Sequence, residues 1–334
     1  MYAIELTSPS LSAFRATTLP EPKPGRGEVL VRMRAASLNF LDLAVATGGY
    51  AISDFPLIPV CDGAGEVVEL GAEVDDFAVG DRVVPHSKPF WVGGPITPKN
   101  SSDMRGITLP GSVAEYGVLP VSGLVATPAH LSDEAAATLP IAGTTAWNAM
   151  RVAGVRPGSI VLLLGTGGVS IFTLQFAKAA GATVIVTSSS DEKLERARTL
   201  GADLTINYRR TPDWDAEVLK LTEGRGADLV VDTGGTDTFG RSLNAAAYGG
   251  TVFVIGFLTG TAASADLLPI IVKALNVQGN NTGSVADLRD AARAVAASKL
   301  QPVVDRTFSL NETAEAYAHL AAGGRHFGKI SIIH

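Results

Sequence analysis

The sequence predicts an α/β protein in which a doubly wound domain with a parallel sheet interrupts a strand-rich domain, and three features of the chain predict it. From residue 159 onward, apolar segments alternate with amphipathic ones: "SIVLLLG", "VSIFTLQFAKAAG", "TVIVTSSS", "DEKLERARTLG", "LTINY", "WDAEVLKLT", "ADLVVDTGG", "FGRSLNAAAYGG" and "TVFVIGF". Strands buried on both faces and separated by single helices are what a parallel sheet covered by helices requires. Before this run the chain reads as short strands and turns. After it, residues 282–334 are too few for an independent core and are expected to complete the first domain. The predicted divisions are therefore 1–128, 129–281 and 282–334.

Each element has a local reason. "GEVLVRMRAAS" alternates around Val29, Val31 and Met33, "GAGEVVELG" is a strand entered through Gly63 and Gly65, and "VGDRVVP" follows a tight Gly80–Asp81 turn. Residues 86–111 show no period and hold many turn formers, which predicts a long loop of the kind that carries function. Ser132, followed by Asp133, Glu134 and an alanine run, marks a helix start. In the last stretch "ADLLPIIVKAL" and "VADLRDAARAVAASKL" read as helices, "QPVVDRTFSL" as a strand, "NETAEAYAHLAAG" as a helix capped at Asn311, and "FGKISII" as a closing strand.

Composition narrows the function classes. The 334 residues are 46% hydrophobic and 18% charged, ordinary for a globular chain with real cores. The net charge of −6, with no block of Lys or Arg, gives nucleic-acid binding no electrostatic support. No apolar run approaches the roughly 18 residues of a membrane span, and the start lacks a basic segment followed by an apolar one, so no membrane association and a cytoplasmic location are expected. A single cysteine, Cys61, excludes an intrachain disulfide and a cysteine-rich structural zinc lobe.

The strand "IVLLLG" enters "GTGGVS" at 165–170 and passes directly into a helix, the context a dinucleotide turn requires. Gly165 permits the tight turn and Gly167 clears the backbone for a pyrophosphate over the helix N-terminus, with Thr166, Gly168 and Val169 completing the loop. Ser170 stands where a third glycine is usual. At the end of the next strand Thr187 and Ser188 replace the carboxylate that NAD-preferring sites place on the ribose. Ser188, Ser189 and Lys193 then favour NADP(H), with NAD(H) possible; the alternative is a serine helix cap with Lys193 paired to Glu192 or Glu195. Asn207, Tyr208, Gly234, Gly256, Phe257 and Leu258 end their strands on the same carboxyl edge, as cofactor contacts or as caps and core plugs.

Taken together, "SLNFLDLAVATGGY", "FPLIPVCDGAGEVVELGAEVDDFAVGDRVV", "AATLPIAGTTAWNAM", "VLLLGTGGVSIFTLQFAKAAGA", "SSSDEKLERARTLGAD", "INYR" and "HFGKISI" resemble the medium-chain dehydrogenase/reductase superfamily, in its zinc-free, quinone-oxidoreductase-like branch. The resemblance implies a GroES-like, partly barrel-like catalytic domain built from both termini, an inserted NAD(P)-binding Rossmann domain and a homodimer. Zinc-using relatives place ligands in segments that here read Asn39, then Cys61–Asp62, then Ile141 to Gly143. Only Cys61 and Asp62 are ligand types, short of the three a catalytic zinc takes, unless His86 or His130 folds beside them. No zinc is expected. Cys61 is expected to fill space at the floor of the site, with metal ligand or oxidation-sensitive thiol as alternatives.

Without a Lewis acid, the branch it resembles mostly reduces a carbon–carbon double bond conjugated to a carbonyl, with hydride passing from the nicotinamide to the β carbon. The expected activity is NADPH-dependent transfer to a quinone or α,β-unsaturated carbonyl compound. An alcohol dehydrogenase or ketone reductase is the alternative, and a non-catalytic cofactor-binding protein the remote one. Asn39 and Asp42 match the "N-x-x-D" of the branch, Asn39 as donor beside the nicotinamide and Asp42 as a structural acceptor, or both as caps of the helix that follows. Thr144 and Thr145 are candidates for the nicotinamide side or for capping. Tyr50, Phe90 and Trp91 are loop aromatics suited to a flat apolar substrate or to anchoring loops, and Tyr50 is a candidate proton donor. The exposed edge expected in "LNVQGNNTG", at 275–283, beside the apolar "LLPIIVKAL", supplies the expected dimer contact.

Overall fold

The computed structural model describes residues 1–50 and 54–334. It divides into two compact units, one made of Met1–Thr144 with Gly283–His334 and the other of Thr145–Thr282. Residues 129–144, assigned by sequence to the second domain, pack instead in the first. Short helices there contact the mixed sheet, which the alanine-rich pattern alone does not reveal.

The second unit holds a six-stranded parallel sheet in the order Leu204–Asn207, Thr183–Ser188, Ile160–Leu164, Ala227–Asp232, Ala246–Val254, Asn276–Gly279. Val161, Leu162, Leu163, Val184, Ile185, Val230 and Val231 are wholly buried, as strands covered on both faces must be. Order reverses on either side of Ile160–Leu164, so the turn after that strand lies at the topological switch point where open sheets bind ligands. The edge strand Asn276–Gly279 is exposed throughout, and Leu267, Leu268, Ile271 and Val272 beside it in sequence are exposed as well.

The first unit is built on a mixed sheet in the order Val304–Ser309, Lys329–Ile333, Glu28–Leu38, Asp62–Leu70, Arg82–Pro85, Leu124–Ala126, with Tyr116–Pro120 also paired to Glu28–Leu38. Two apolar clusters support it, one around Leu6, Val60, Tyr317 and Ile332 and one around Val31, Val67 and Leu119. Register places the future site. Ser37 pairs with Asp62 on one side of the central strand and Leu38 with Ile330 on the other. The strand ends carrying Asn39, Asp62 and Lys329 therefore meet at one end of the sheet.

Three local expectations are corrected. The helix at 239 stops at Ala245, and the "AAYGG" that follows belongs to the strand Ala246–Val254, where pairing to Ala227–Asp232 overrides the alanines' helix propensity. The stretch 265–275 is helical only over Leu268–Val272. The cap near 311 is Ser309, whose N–H and hydroxyl both donate to Glu312, while Asn311 accepts from the Tyr2 hydroxyl. Within the 86–111 loop there is also a short helix, Pro98–Ser101, capped by Thr97.

Candidate active site

In the first unit a buried polar cluster forms around Asp62. The helix Phe40–Ala46 begins where Asp42 reaches back to accept the Asn39 N–H at 2.7 Å, and its other oxygen accepts the Cys61 N–H at 2.9 Å. The Asn39 amide also reaches Asp62 and Lys329. Its Nδ2 donates to Asp62 Oδ2 at 2.9 Å, and its Oδ1 accepts from Lys329 Nζ at 2.5 Å. Lys329 also donates to the Leu38 carbonyl and stands 3.8 Å from Asp62 Oδ2, which takes the Ile141 N–H at 3.2 Å. Asp62 Oδ1 is buried with no hydrogen-bond partner among the described residues.

The electrostatics follow from burial. Asp62 is pushed up to about 7 because the charged carboxylate has lost its water, against the opposing pull of the Lys329 ammonium and the Asn39 amide. Burial also raises Asp42, though the N–H groups of Cys61 and Asn39 hold it back, and lowers Lys329, which Asp62 and Asp42 counteract. The chain thus keeps an ammonium and a carboxyl that titrates near neutrality side by side. Such a pair supplies positive charge and a transferable proton at one place.

Zinc does not fit this donor set. Among the described residues no three His, Cys, Asp or Glu side chains are grouped to hold a metal ion. Asp62 is already committed to Lys329, Asn39 and Ile141, and burial, together with Asp42 and Asp62, pushes the Cys61 thiol well up, away from the thiolate a metal would bind. His86 uses its Nδ1 on Lys88, and burial lowers it to about 4. His130 meets the Leu300 carbonyl. Cys61 is free, wholly buried and part of an apolar cluster.

The second unit carries the glycine turn. Gly165 has φ +75, a conformation costly for any side chain, and a Cβ on Gly167 would meet nothing within 4 Å, so the space above that backbone is open. Gly167 is the N-cap of the helix Gly168–Ala179 and offers no side chain to its first N–H groups, which are left for an anion. These features fit a dinucleotide, whose nicotinamide would carry the hydride. Ser170 is buried and turns its hydroxyl back to the Leu164 carbonyl at 2.9 Å, closing the gap a glycine would leave.

The remaining predicted residues separate by role. Thr187 accepts the Gly165 N–H and Ser188 is buried; Ser190 rather than Ser189 caps the helix Asp191–Thr199. Asn207 donates to Asp191, which also pairs with Arg210, a cation outside the predicted set. Tyr208 is exposed. Gly234 and Gly256 have packing reasons, since added Cβ atoms would lie 2.4 Å from Thr238 Oγ1 and 1.9 Å from the Thr233 carbonyl. Phe257 is half-buried and Leu258 exposed. In the first unit Thr144 is buried with its hydroxyl on Leu139; in the second Thr145 is likewise buried. Trp91 is buried, donates to Gly94 and receives the Val285 N–H, which makes it a loop anchor. Phe90 and Tyr50 are exposed, and neither is hydrogen-bonded to the Asp62 cluster.

Lys329 is the site residue that reasoning from single motifs missed. It lies in "HFGKISI", and a lysine inside an otherwise apolar closing strand was its available signal.

Comparison with known proteins identifies the family. The model of the alcohol dehydrogenase GroES-like domain matches residues 25–129 and that of the zinc-binding dehydrogenase matches residues 168–297. A zinc-type alcohol dehydrogenase-like protein of Schizosaccharomyces pombe is 42% identical over 312 residues, 91% of this chain and 90% of that one. A quinone oxidoreductase of Pseudomonas aeruginosa is 33% identical, covering 90% and 89%. The crystal structure of an NAD-dependent alcohol dehydrogenase superposes with a TM-score of 0.90 at 36% identity, covering all of both chains. Among the described residues no helix is long and apolar enough to cross a membrane. The chain belongs to the medium-chain dehydrogenase/reductase superfamily, as an NAD(P)-dependent oxidoreductase without a metal-binding cluster among its described residues.

Proposed function

We propose that the enzyme interconverts a small alcohol and its carbonyl compound with a nicotinamide cofactor, Asp62 acting as the acid–base group and Lys329 as the fixed positive charge that a metal supplies in zinc-using relatives. The observation that carries this reading is the buried Asp62 carboxyl at about 7 beside the Lys329 ammonium. Ketone reduction leaves charge on oxygen, and both a proton source and a cation oppose that charge. Relatives named alcohol dehydrogenase support the reading more than they support the expected quinone or enone reduction. That second reading keeps one specific support, the relative named quinone oxidoreductase.

NADP(H) is proposed as the preferred cofactor, on the absence of a carboxylate at Thr187–Ser188. A homodimer through Asn276–Gly279 is proposed on its exposed edge and the apolar residues beside it. Light scattering giving the 34.5 kDa chain mass alone at all concentrations would refute the dimer.

The deciding assay sets NADPH and NADH against secondary alcohols, their ketones, an enone and 1,4-naphthoquinone. Ketone and alcohol turnover lost in Asp62→Asn, with NADPH the better cofactor, is the expected outcome. Turnover confined to the enone or quinone and unaffected by Asp62→Asn would overturn the reading.

A further inference from the structure

The root of the 86–112 loop carries a buried cation that the Asp62 cluster does not use. Arg105 is 3% exposed, yet among the described residues its side chain donates to neutral acceptors, the Gly111 carbonyl at 3.3 Å and Ser112 Oγ at 3.0 Å, both from Nη2. Its Nε–H has no partner among the described residues. Asp62, the carboxylate whose charge acts on Arg105, has its Oδ2 engaged by Asn39, Ile141 and Lys329. The loop's only acidic residue is Asp103. Asp62 favours the charge from a distance, but a buried guanidinium without a direct ion pair is a costly arrangement for a fold to keep.

The chain goes to some length to hold it there. The Arg105 N–H donates to the Ser87 carbonyl at 2.8 Å, which brings Ser87 alongside, and the Ser87 hydroxyl is likewise buried with no partner among the described residues. Gly106, at φ +71, presses so close to Cys61 that an added Cβ would lie 2.8 Å from the Cys61 nitrogen. Gly111 and Ser112 donate to the carbonyls of Ile58, Pro59 and Val60, lacing the loop onto the segment that leads into Cys61 and Asp62. Val60 sits at φ +72, a conformation rarely adopted by a β-branched residue. Strain, close approach and two unanswered donors thus coincide beside the proposed acid–base group.

We propose that Arg105 and Ser87 form an anion subsite that takes the carboxylate of the substrate, so that the carbonyl compound handled is an oxo acid rather than a neutral ketone. The reading rests on the hydride transfer proposed above. A carboxylate presents two acceptor oxygens, and the unanswered donors here are a guanidinium N–H and a hydroxyl, a charge-assisted and a neutral hydrogen bond to one group.

The test is calorimetric binding of 2-oxobutanoate, benzoylformate and levulinate, each against its neutral methyl ester, to the full chain with oxidised cofactor at fixed ionic strength. The acids are expected to bind about 10- to 100-fold tighter than the esters, the preference vanishing in Arg105→Gln, surviving in part in Arg105→Lys and weakening in Ser87→Ala. Equal binding of acid and ester by the wild-type chain, which needs no variant to fold, overturns the subsite, as does a preference unchanged in Arg105→Gln. Acid preference without oxidation of NADPH by any ketone would sink the hydride-transfer reading alone. Turnover of neutral ketones with no acid preference would sink the subsite alone.

Discussion

The glycine turn at 165–170 and the polar cluster around Asp62, the two sites on which the proposed reaction rests, are assembled in opposite ways. The turn is six consecutive residues whose backbone does the work, a positive φ at Gly165 and open space at Gly167. The cluster gathers Asn39 and Asp42, Asp62, the Ile141 N–H and Lys329 from four places in the chain, and side chains do most of the work. A local, backbone-built site tolerates change around it and fails only when its own residues change. A distributed, side-chain-built site is coupled, so removing one member leaves another buried and unpaired.

The largest effect should therefore come from breaking the cluster on one side only. Lys329→Met removes the cation and leaves Asp62 buried without it, and a loss of about 3–5 kcal/mol in unfolding free energy is expected. The double variant with Asp62→Asn should recover much of that loss, because no uncompensated carboxyl remains. Urea unfolding of the four proteins gives the coupling, and strictly additive losses would show that the pair is not a unit.

The same cycle has a pH signature. Asp62 is raised above the ordinary carboxylate range, so its contribution to stability is fully present below about 4 and is lost as pH rises through about 7. His86 is lowered to about 4, so its contribution is present above its ordinary range near 6.5 and is lost as pH falls towards 4. The two slopes oppose each other in the wild-type chain. Comparing wild type with Asp62→Asn cancels the histidine, and the variant should gain relative stability as pH rises from 5 to 8.

The contrast also explains which features were legible. Alternating apolar strands and helices, the glycine turn and the switch point are local patterns, so the second unit was readable from "SIVLLLGTGGVS" onward. Residues 129–144 pack in the first unit through contacts with the mixed sheet, which their alanines alone do not reveal. Asn39, Asp42, Cys61 and Asp62 were visible as residues, but their partners were not, since the pairings Ser37 with Asp62 and Leu38 with Ile330 are properties of strand register. Lys329 and Arg105 join distant chemistry through that register and through loop lacing, neither of which leaves a short-range pattern.

A sharper test of the backbone-built site is Gly167→Val. An added Cβ meets nothing within 4 Å and φ is negative there, so the fold has little reason to weaken. The side chain would occupy the space where a pyrophosphate approaches the helix N-terminus. NADPH affinity is expected to fall about 10- to 100-fold with unfolding unchanged within about 1 kcal/mol. Unaltered affinity measured by fluorescence titration would remove the turn from the cofactor site.

The smallest effect should come from Ser170→Gly, which restores the usual fingerprint and asks whether its departure matters. The serine is buried in the first turn of the helix Gly168–Ala179, and its hydroxyl donates to Leu164 at 2.9 Å, tying the helix to the end of the preceding strand. Removing it gives up one neutral hydrogen bond, worth about 1 kcal/mol, and adds a glycine to a helix, which costs up to about 1 kcal/mol more. The N–H groups facing an anion are backbone groups and stay in place. Stability should drop by about 1–2 kcal/mol while NADPH affinity holds within about threefold. A tenfold gain in affinity would mean that Ser170 crowds the cofactor, and that this turn depends on a side chain after all, as the Asp62 cluster does.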